Sequence, residues 1–267
     1  MTATLLDLLQ RIAARGERAF VAGRRAELSA AAFAGRAEHI AGGLAALGLR
    51  RGDRVAAALE HDVDLAVLPF ACAWLGAIAV PINPRLKDAQ IRQVVDDADA
   101  ALVWTSARRL VGIEDRDAAF GRRPIALCDD SPPPGCVALP DVTAPAPRPL
   151  AADDPAILLY TSGSTGRPKG IVQSQRSLCD GARIVAGYLG LSEDDHLLAV
   201  LPLSFDYGLN QILSAGYVGA RVSMLQYLHA GEVVRALRER ACSGLAGVPE
   251  LWVDVIAALR RDGAAPR

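Results

Sequence analysis

Between Leu158 and Gly170 the sequence reads LLYTSGSTGRPKG, an apolar stretch running straight into a loop of small residues that closes on a proline-fixed basic corner. Such a loop is suited to holding an anion. Gly163 and Gly166 can take positive φ and let the backbone approach a ligand, so that successive N–H groups turn inward as a nest around phosphate oxygens. The hydroxyls of Thr161, Ser162, Ser164 and Thr165 add donors, and Lys169 adds a positive charge that pairs with phosphate. The pattern is not the G-x-x-x-x-G-K-[ST] loop, because Arg167 and Pro168 separate Gly166 from Lys169 and no Ser or Thr follows the lysine. A flexible Gly/Ser linker would share this composition. Against that reading, the segment lies between two apolar strand patterns, AILLY and GIV, and ends in R-P-K-G with a rigid proline.

Other residue types offer less chemistry. The four histidines, His39, His61, His196 and His229, are scattered without ligand spacing, so no metal site is expected from the chain's own residues. The five cysteines, Cys72, Cys128, Cys136, Cys179 and Cys242, are odd in number and form no C-x-x-C pair, which points to reduced thiols and a cytoplasmic location. A formal net charge of −1 argues against nucleic acid or an anionic membrane as partner. The first residues, Met1 to Gly16, carry Asp7 inside their apolar stretch and arginines after it, the reverse of an export signal, and read as an amphipathic helix. The apolar run Leu65 to Ile82 is long enough to consider as a membrane span. Pro69, Gly76 and Pro81 interrupt it, and it reads as a buried helix turning into a buried strand, with no transmembrane segment.

The elements that must position the loop alternate in type. Ser29 to Leu47 is helix-like with Ser29 as its cap, Arg54 to Leu59 is a strand candidate, Lys87 to Asp99 an amphipathic helix and Ala101 to Thr105 a strand. Further strands are expected within Asp153 to Tyr160, His196 to Leu201, Ala220 to Leu225 and Gly244 to Val248, and a helix at Leu251 to Arg261. This alternation predicts an α/β fold with layered α/β/α subdomains and largely parallel sheets. Residues 131–149, SPPPGCVALPDVTAPAPRP, can sustain neither a helix interior nor a central strand and read as a Pro-rich crossing. The expected organisation is a first α/β subdomain over 1–150 and a second over 151–267 that carries the phosphate loop.

At YTSGSTGRPKG the chain resembles the AMP-forming acyl-CoA synthetases, peptide-synthetase adenylation domains and luciferases, whose signature phosphate loop has this form. WLGAIAVPINP (Trp74 to Pro84) is similar to the family's L-x-x-G-A-x-x-V-P-x-x-P motif, and LPLSFDYGLNQ (Leu201 to Gln211) to its substrate-pocket motif. SFDYGLNQ and GLAGVPELW further resemble a subgroup of acyl-CoA ligases associated with bacterial exosortase and exopolysaccharide systems. The resemblance spans nearly the whole chain and implies the amino-terminal part of the adenylate-forming enzyme fold. Up to Arg267 the sequence lacks the family's aromatic-Thr-Glu segment, ribose-binding aspartate, hinge and adenylation lysine, so the chain alone is expected to be inactive.

What the resemblance implies is activation of a small-molecule carboxylic acid by ATP and Mg2+ as acyl-AMP with release of pyrophosphate, followed by thioester formation with CoA. An acyl-carrier protein is the other acceptor the family uses, and an amino-acid adenylation domain or a non-catalytic nucleotide-binding module are the alternatives. By family position Thr161, Ser162, Gly163, Ser164, Thr165, Gly166 and Lys169 contact the nucleotide phosphates, with Thr165 and Lys169 in the catalytic role of stabilising the leaving group. Phe205, Asp206, Tyr207 and Gly208 correspond to the acyl pocket. Asp206 has three readings: a cap for a helix beginning near Tyr207, a hydrogen-bonding group in the pocket, or the partner of a substrate ammonium. Phe205 and Tyr207 are pocket walls or ordinary core aromatics.

Overall fold

The structure, a computed structural model, describes residues 2–83, 85–127, 132–162 and 168–261. Helix α1 (Leu5–Ala13) opens on a capping box, in which Thr4 Oγ1 accepts from Asp7 N while the Asp7 carboxylate accepts from Thr4 N. Its Leu5, Leu8, Leu9 and Ile12 recur at three and four residues and are all buried. A hairpin of β1 (Ala19–Ala22) and β2 (Glu27–Ser29) leads into α2 (Ala30–Ala46), which Ser29 caps as expected by accepting from Ala32 N. Then come β3 (Arg54–Ala58), α3 (Val63–Leu75), β4 (Ile78–Pro81), α4 (Asp88–Asp97) and β5 (Leu102–Thr105). The apolar run at Leu65 thus becomes a helix that ends on Gly76 at φ 68° and returns as a buried strand, and no helix among the described residues is long and apolar enough to cross a membrane.

Two short helices, α5 (Ala107–Val111) and α6 (Arg116–Phe120), precede β6 (Ile125–Leu127), and the Pro-rich crossing holds, among its described residues, only β7 (Val137–Ala138). Beyond it lie β8 (Pro155–Ser162), β9 (Pro168–Ser174), α7 (Gln175–Leu189), β10 (His196–Ala199) and α8 (Asp206–Val218). The chain continues through β11 (Arg221–Met224), α9 (Ala230–Glu239), β12 (Gly244–Leu245) and α10 (Pro249–Arg261).

The strands form two largely parallel sheets. One has the order β7-β6-β5-β3-β4-β8-β9 and is parallel except for the edge strand β9; the other runs β12-β10-β11-β1-β2 and is parallel except for β2. Alternation along the strands sorts side chains between layers. Val55 and Ala57 of β3 and Val222 of β11 join one large core with α1, α2, α3, α7 and α8, which therefore lie between the sheets. Ala56 and Ala58 point the other way, onto α4 and α6, and Leu198 of β10 packs on α9 and α10. Edge-to-face contacts from Phe20 to Phe33 (4.9 Å) and from Phe33 to Phe70 (5.3 Å) link β1, α2 and α3 through the central layer.

The boundary between sheets does not fall at residue 150. Strands β8 and β9, which follow the Pro-rich crossing, complete the sheet begun by β3 and β4, while β1 and β2 complete the sheet built from β10, β11 and β12. The reason is that a parallel sheet can add strands at either edge irrespective of their distance along the chain, so composition alone does not locate its partners.

Candidate functional site

The segment expected to hold phosphate is flanked by two antiparallel strands. Strands β8 and β9 pair through Tyr160 with Gly170, Thr161 with Lys169 and Ser162 with Pro168, so the loop's two ends are held side by side. Lys169 is exposed, and Thr161 stands opposite it. Gly163, Ser164, Thr165 and Gly166 lie outside the described residues.

Beside the hairpin is a cleft of about 810 Å³. Its walls come from the carboxyl ends of parallel strands in both sheets: His61 follows β3, Ile82 and Asn83 follow β4, Tyr160 and Thr161 end β8, Val200 to Phe205 follow β10, and Leu225 to Leu228 follow β11. This is where open α/β sheets place ligands, because connections diverge there and leave a crevice. One face of α4 closes the side through Gln90, Gln93 and Val94. Aliphatic groups including Leu65, Ile82, Leu86, Leu203 and Val248 make most of the lining. Among the described lining residues there is no carboxylate, and Arg85 is the one side chain with a permanent charge.

The pocket motif divides on inspection. Phe205 lines the cleft, and its ring meets that of Tyr207 at 6.5 Å and 71°, but Asp206, Tyr207, Gly208 and Lys169 are not among the described residues that line it. Helix α8 begins at Asp206 itself, with Phe205 at the cap position and no side-chain cap bond. Asp206 is therefore not the cap of a helix starting at Tyr207; it is an exposed first-turn carboxylate, favourable at the positive end of the helix dipole. Gly208 serves packing, since a Cβ there would lie 2.2 Å from the carbonyl oxygen of Pro202.

Two titratable groups join the site beyond those expected from the sequence. His61 is buried with its Nε2 3.0 Å from the carbonyl oxygen of Ala199, an acceptor that fixes Nε2 as the protonated nitrogen. It thereby ties the end of β3 to the end of β10 across the cleft floor. Desolvation holds its pKa below the ordinary 6.5, outweighing the Ala199 contact and the nearby Asp62, so the ring is neutral at pH 7. Tyr160 donates to Asp97 Oδ2 at 2.6 Å, and burial, with the carboxylate beside it, raises the phenol well above its usual range. His61 belongs to no spacing pattern, whereas Tyr160 opens the YTSGSTGRPKG motif but meets Asp97, 63 residues away, only where α4 packs beside the end of β8. Among the described residues no group of three His, Cys, Asp or Glu could hold a metal ion.

Layered, largely parallel sheets, with a hairpin and an apolar crevice at the carboxyl ends of their strands, define an α/β protein of the adenylate-forming architecture. The chain belongs to the family described as AMP-binding enzyme, whose model matches residues 9–266. It is 30% identical over 214 residues to a long-chain-fatty-acid–CoA ligase of Mycobacterium tuberculosis, covering 75% of this chain and 40% of that protein. It is 33% identical over 201 residues to an indoleacetate–CoA ligase of Aromatoleum aromaticum, covering 71% of this chain and 39% of that one. Among solved structures it shares its fold, at TM-score 0.80 and 22% identity over 93% of this chain and 65% of the other, with an O-succinylbenzoate coenzyme A synthetase from Bacillus subtilis in complex with ATP and magnesium ion. The chain thus spans about two fifths of the length of these curated relatives.

Proposed function

We propose that this chain supplies the phosphate hairpin and acyl cleft of an enzyme that activates an unaminated carboxylic acid with ATP and passes the acyl group to CoA. One observation carries the reading: the hairpin and the cleft share Thr161, and the cleft has aliphatic walls with no carboxylate among its described lining residues. An aliphatic or aromatic acid would lie along Leu86, Leu203 and Phe205 with its carboxylate toward Thr161. A carboxylate oxygen then attacks the α-phosphorus of ATP as the bond to the pyrophosphate oxygen breaks, and in the second step a thiolate sulfur attacks the acyl carbon and AMP departs.

In this reading Thr161, Ser162, Gly163, Ser164, Thr165, Gly166 and Lys169 hold the β and γ phosphates, where preorganised donors stabilise charge that grows on the leaving group. When bound together with the nucleotide, Mg2+ would supply further neutralisation of the phosphate charge beside Lys169 and the loop donors. An amino acid is a poor substrate, because its ammonium group would enter the cleft without a described carboxylate to pair with. The names of the relatives, a long-chain-fatty-acid–CoA ligase and an indoleacetate–CoA ligase, support an unaminated acid and CoA as acceptor.

The test has two stages. Calorimetric titration of the chain with ATP and Mg2+ should give saturable binding that Lys169→Ala weakens or abolishes. In protein extending over the full length of the relatives, single-turnover acyl-AMP formation should proceed with dodecanoate or indoleacetate and not with leucine, and Lys169→Ala should slow it at least about tenfold at saturating ATP. Unchanged turnover with only a raised KM for ATP would make the loop a uniform binding element, and a preference for leucine would reverse the acid assignment.

A further inference from the structure

The geometry points to Tyr160 and Asp97 as positioning residues that latch the root of the phosphate hairpin to the wall of the cleft. The inference rests on the reading above, in which the hairpin holds nucleotide phosphate. Tyr160 is one cross-strand pair below Thr161 and Lys169, so whatever fixes its ring fixes the base of the loop. On one side its ring lies across Gly170, where an added Cβ would come within 3.0 Å of the ring's Cζ. Glycine is the seat that allows this approach. On the other side the hydroxyl donates 2.6 Å to Asp97 Oδ2, at the last residue of α4.

Helix α4 gives the contact its meaning. Gln93 and Val94 lie three and four residues after Gln90, and Asp97 lies four and three residues after them, so the four share one helical face. The first three line the cleft, and the fourth holds Tyr160. A ligand pressing on α4 and a phosphate gripped by the hairpin thus act on one rigid body. The phenol, raised by burial and the Asp97 carboxylate, stays protonated at neutral pH, so the donor is present there. Packing alone does not require the hydroxyl, since phenylalanine would fill the same seat on Gly170; its remaining role is the bond to α4.

Calorimetric titration of the chain with ATP and Mg2+ should therefore show Tyr160→Phe and Asp97→Ala each weakening binding about fivefold to tenfold, with the double variant no worse than either alone because both remove one bond. Asp97→Asn, whose amide oxygen still accepts from the phenol, should keep affinity within about twofold of the parent. A merely structural role would instead lower affinity and melting midpoint together in all three. Amide hydrogen exchange at Thr161, Lys169 and Gly170 is the second readout, expected to quicken about fivefold in Tyr160→Phe while α7 is unchanged. If Lys169→Ala weakens ATP and Tyr160→Phe does not, or if Asp97→Asn is as damaging as Asp97→Ala, the latch is wrong. If the parent chain takes up no ATP, the proposed function fails by itself and exchange decides the latch: unaltered exchange at the hairpin overturns it.

Discussion

At Gly208 the backbone of α8 passes so near the carbonyls of Leu201 and Pro202 that no side chain fits. Gly208→Ala should consequently destabilise the fold by about 2 kcal/mol or more, read as a lowered melting midpoint, although alanine is the better helix former. Asp206→Asn, two residues earlier and exposed, should alter stability by less than about 0.5 kcal/mol. His61 behaves differently because its environment opposes charge. Its folded pKa lies below 6.5, so as the pH falls past that value the unfolded chain binds protons first; stability is full above about 6.5 and declines below it. The burial of His196, with Arg221 nearby, adds to the same trend, whereas the lowered carboxylates Asp7, Asp96 and Asp195 act only below about 3.8. The melting midpoint should drop between pH 7.5 and 5.5, and His61→Gln should flatten that drop; an identical drop in the variant would remove His61 from the account. Thr161 and Phe205 could be found in the sequence because each belongs to a contiguous motif, while His61, Gln90 and Gln93 belong to none and gain their place only when strand ends converge.

Among elements, the Pro-rich crossing is the one whose character changes most once its neighbours are known. It has the composition of a loose linker, yet it lies in a notch on α2, where a Cβ on Gly42 would be 2.2 Å from the Val142 carbonyl oxygen and one on Gly43 would be 2.3 Å from Leu139. Trp74 Nε1 donates to the Pro145 carbonyl oxygen at 2.7 Å, and Arg148 N donates to that of Trp74 at 2.9 Å. Gly42→Val should lift this strap, and limited proteolysis should then cut within 139–149 at least about fivefold faster than in the parent, with the rest of the protein intact. The paired glycines were the available signal, an anomaly in a helix interior that asks for close backbone approach. Long helices and the strands β3, β5, β8, β10 and β11 were legible from periodicity. The pieces that escaped, β1, β2, α5, α6, β6 and β7, have two to five residues each, too few to establish a period.

For the molecule as a whole, interleaved sheets mean that neither side of residue 150 owns a complete core. Fragments 1–150 and 151–267 should each fail to give a cooperative thermal transition when produced alone, and a sharp transition in either would show that a half can fold independently. The pairing of β1 with β11, Val21 beside Val222, has a consequence in time. During synthesis the hairpin of β1 and β2 leaves the ribosome about 200 residues ahead of the strand that covers its other edge, an interval of roughly 10 to 40 s at about 5 to 20 residues per second. For that interval Phe20, Val21 and the apolar face of α1 have neither β11 nor α8 to rest on, and unpaired strand edges recruit other chains. The nascent protein is therefore a customer for whatever shelters open strands at the ribosome exit, and slower translation ahead of residue 224 would lengthen that dependence.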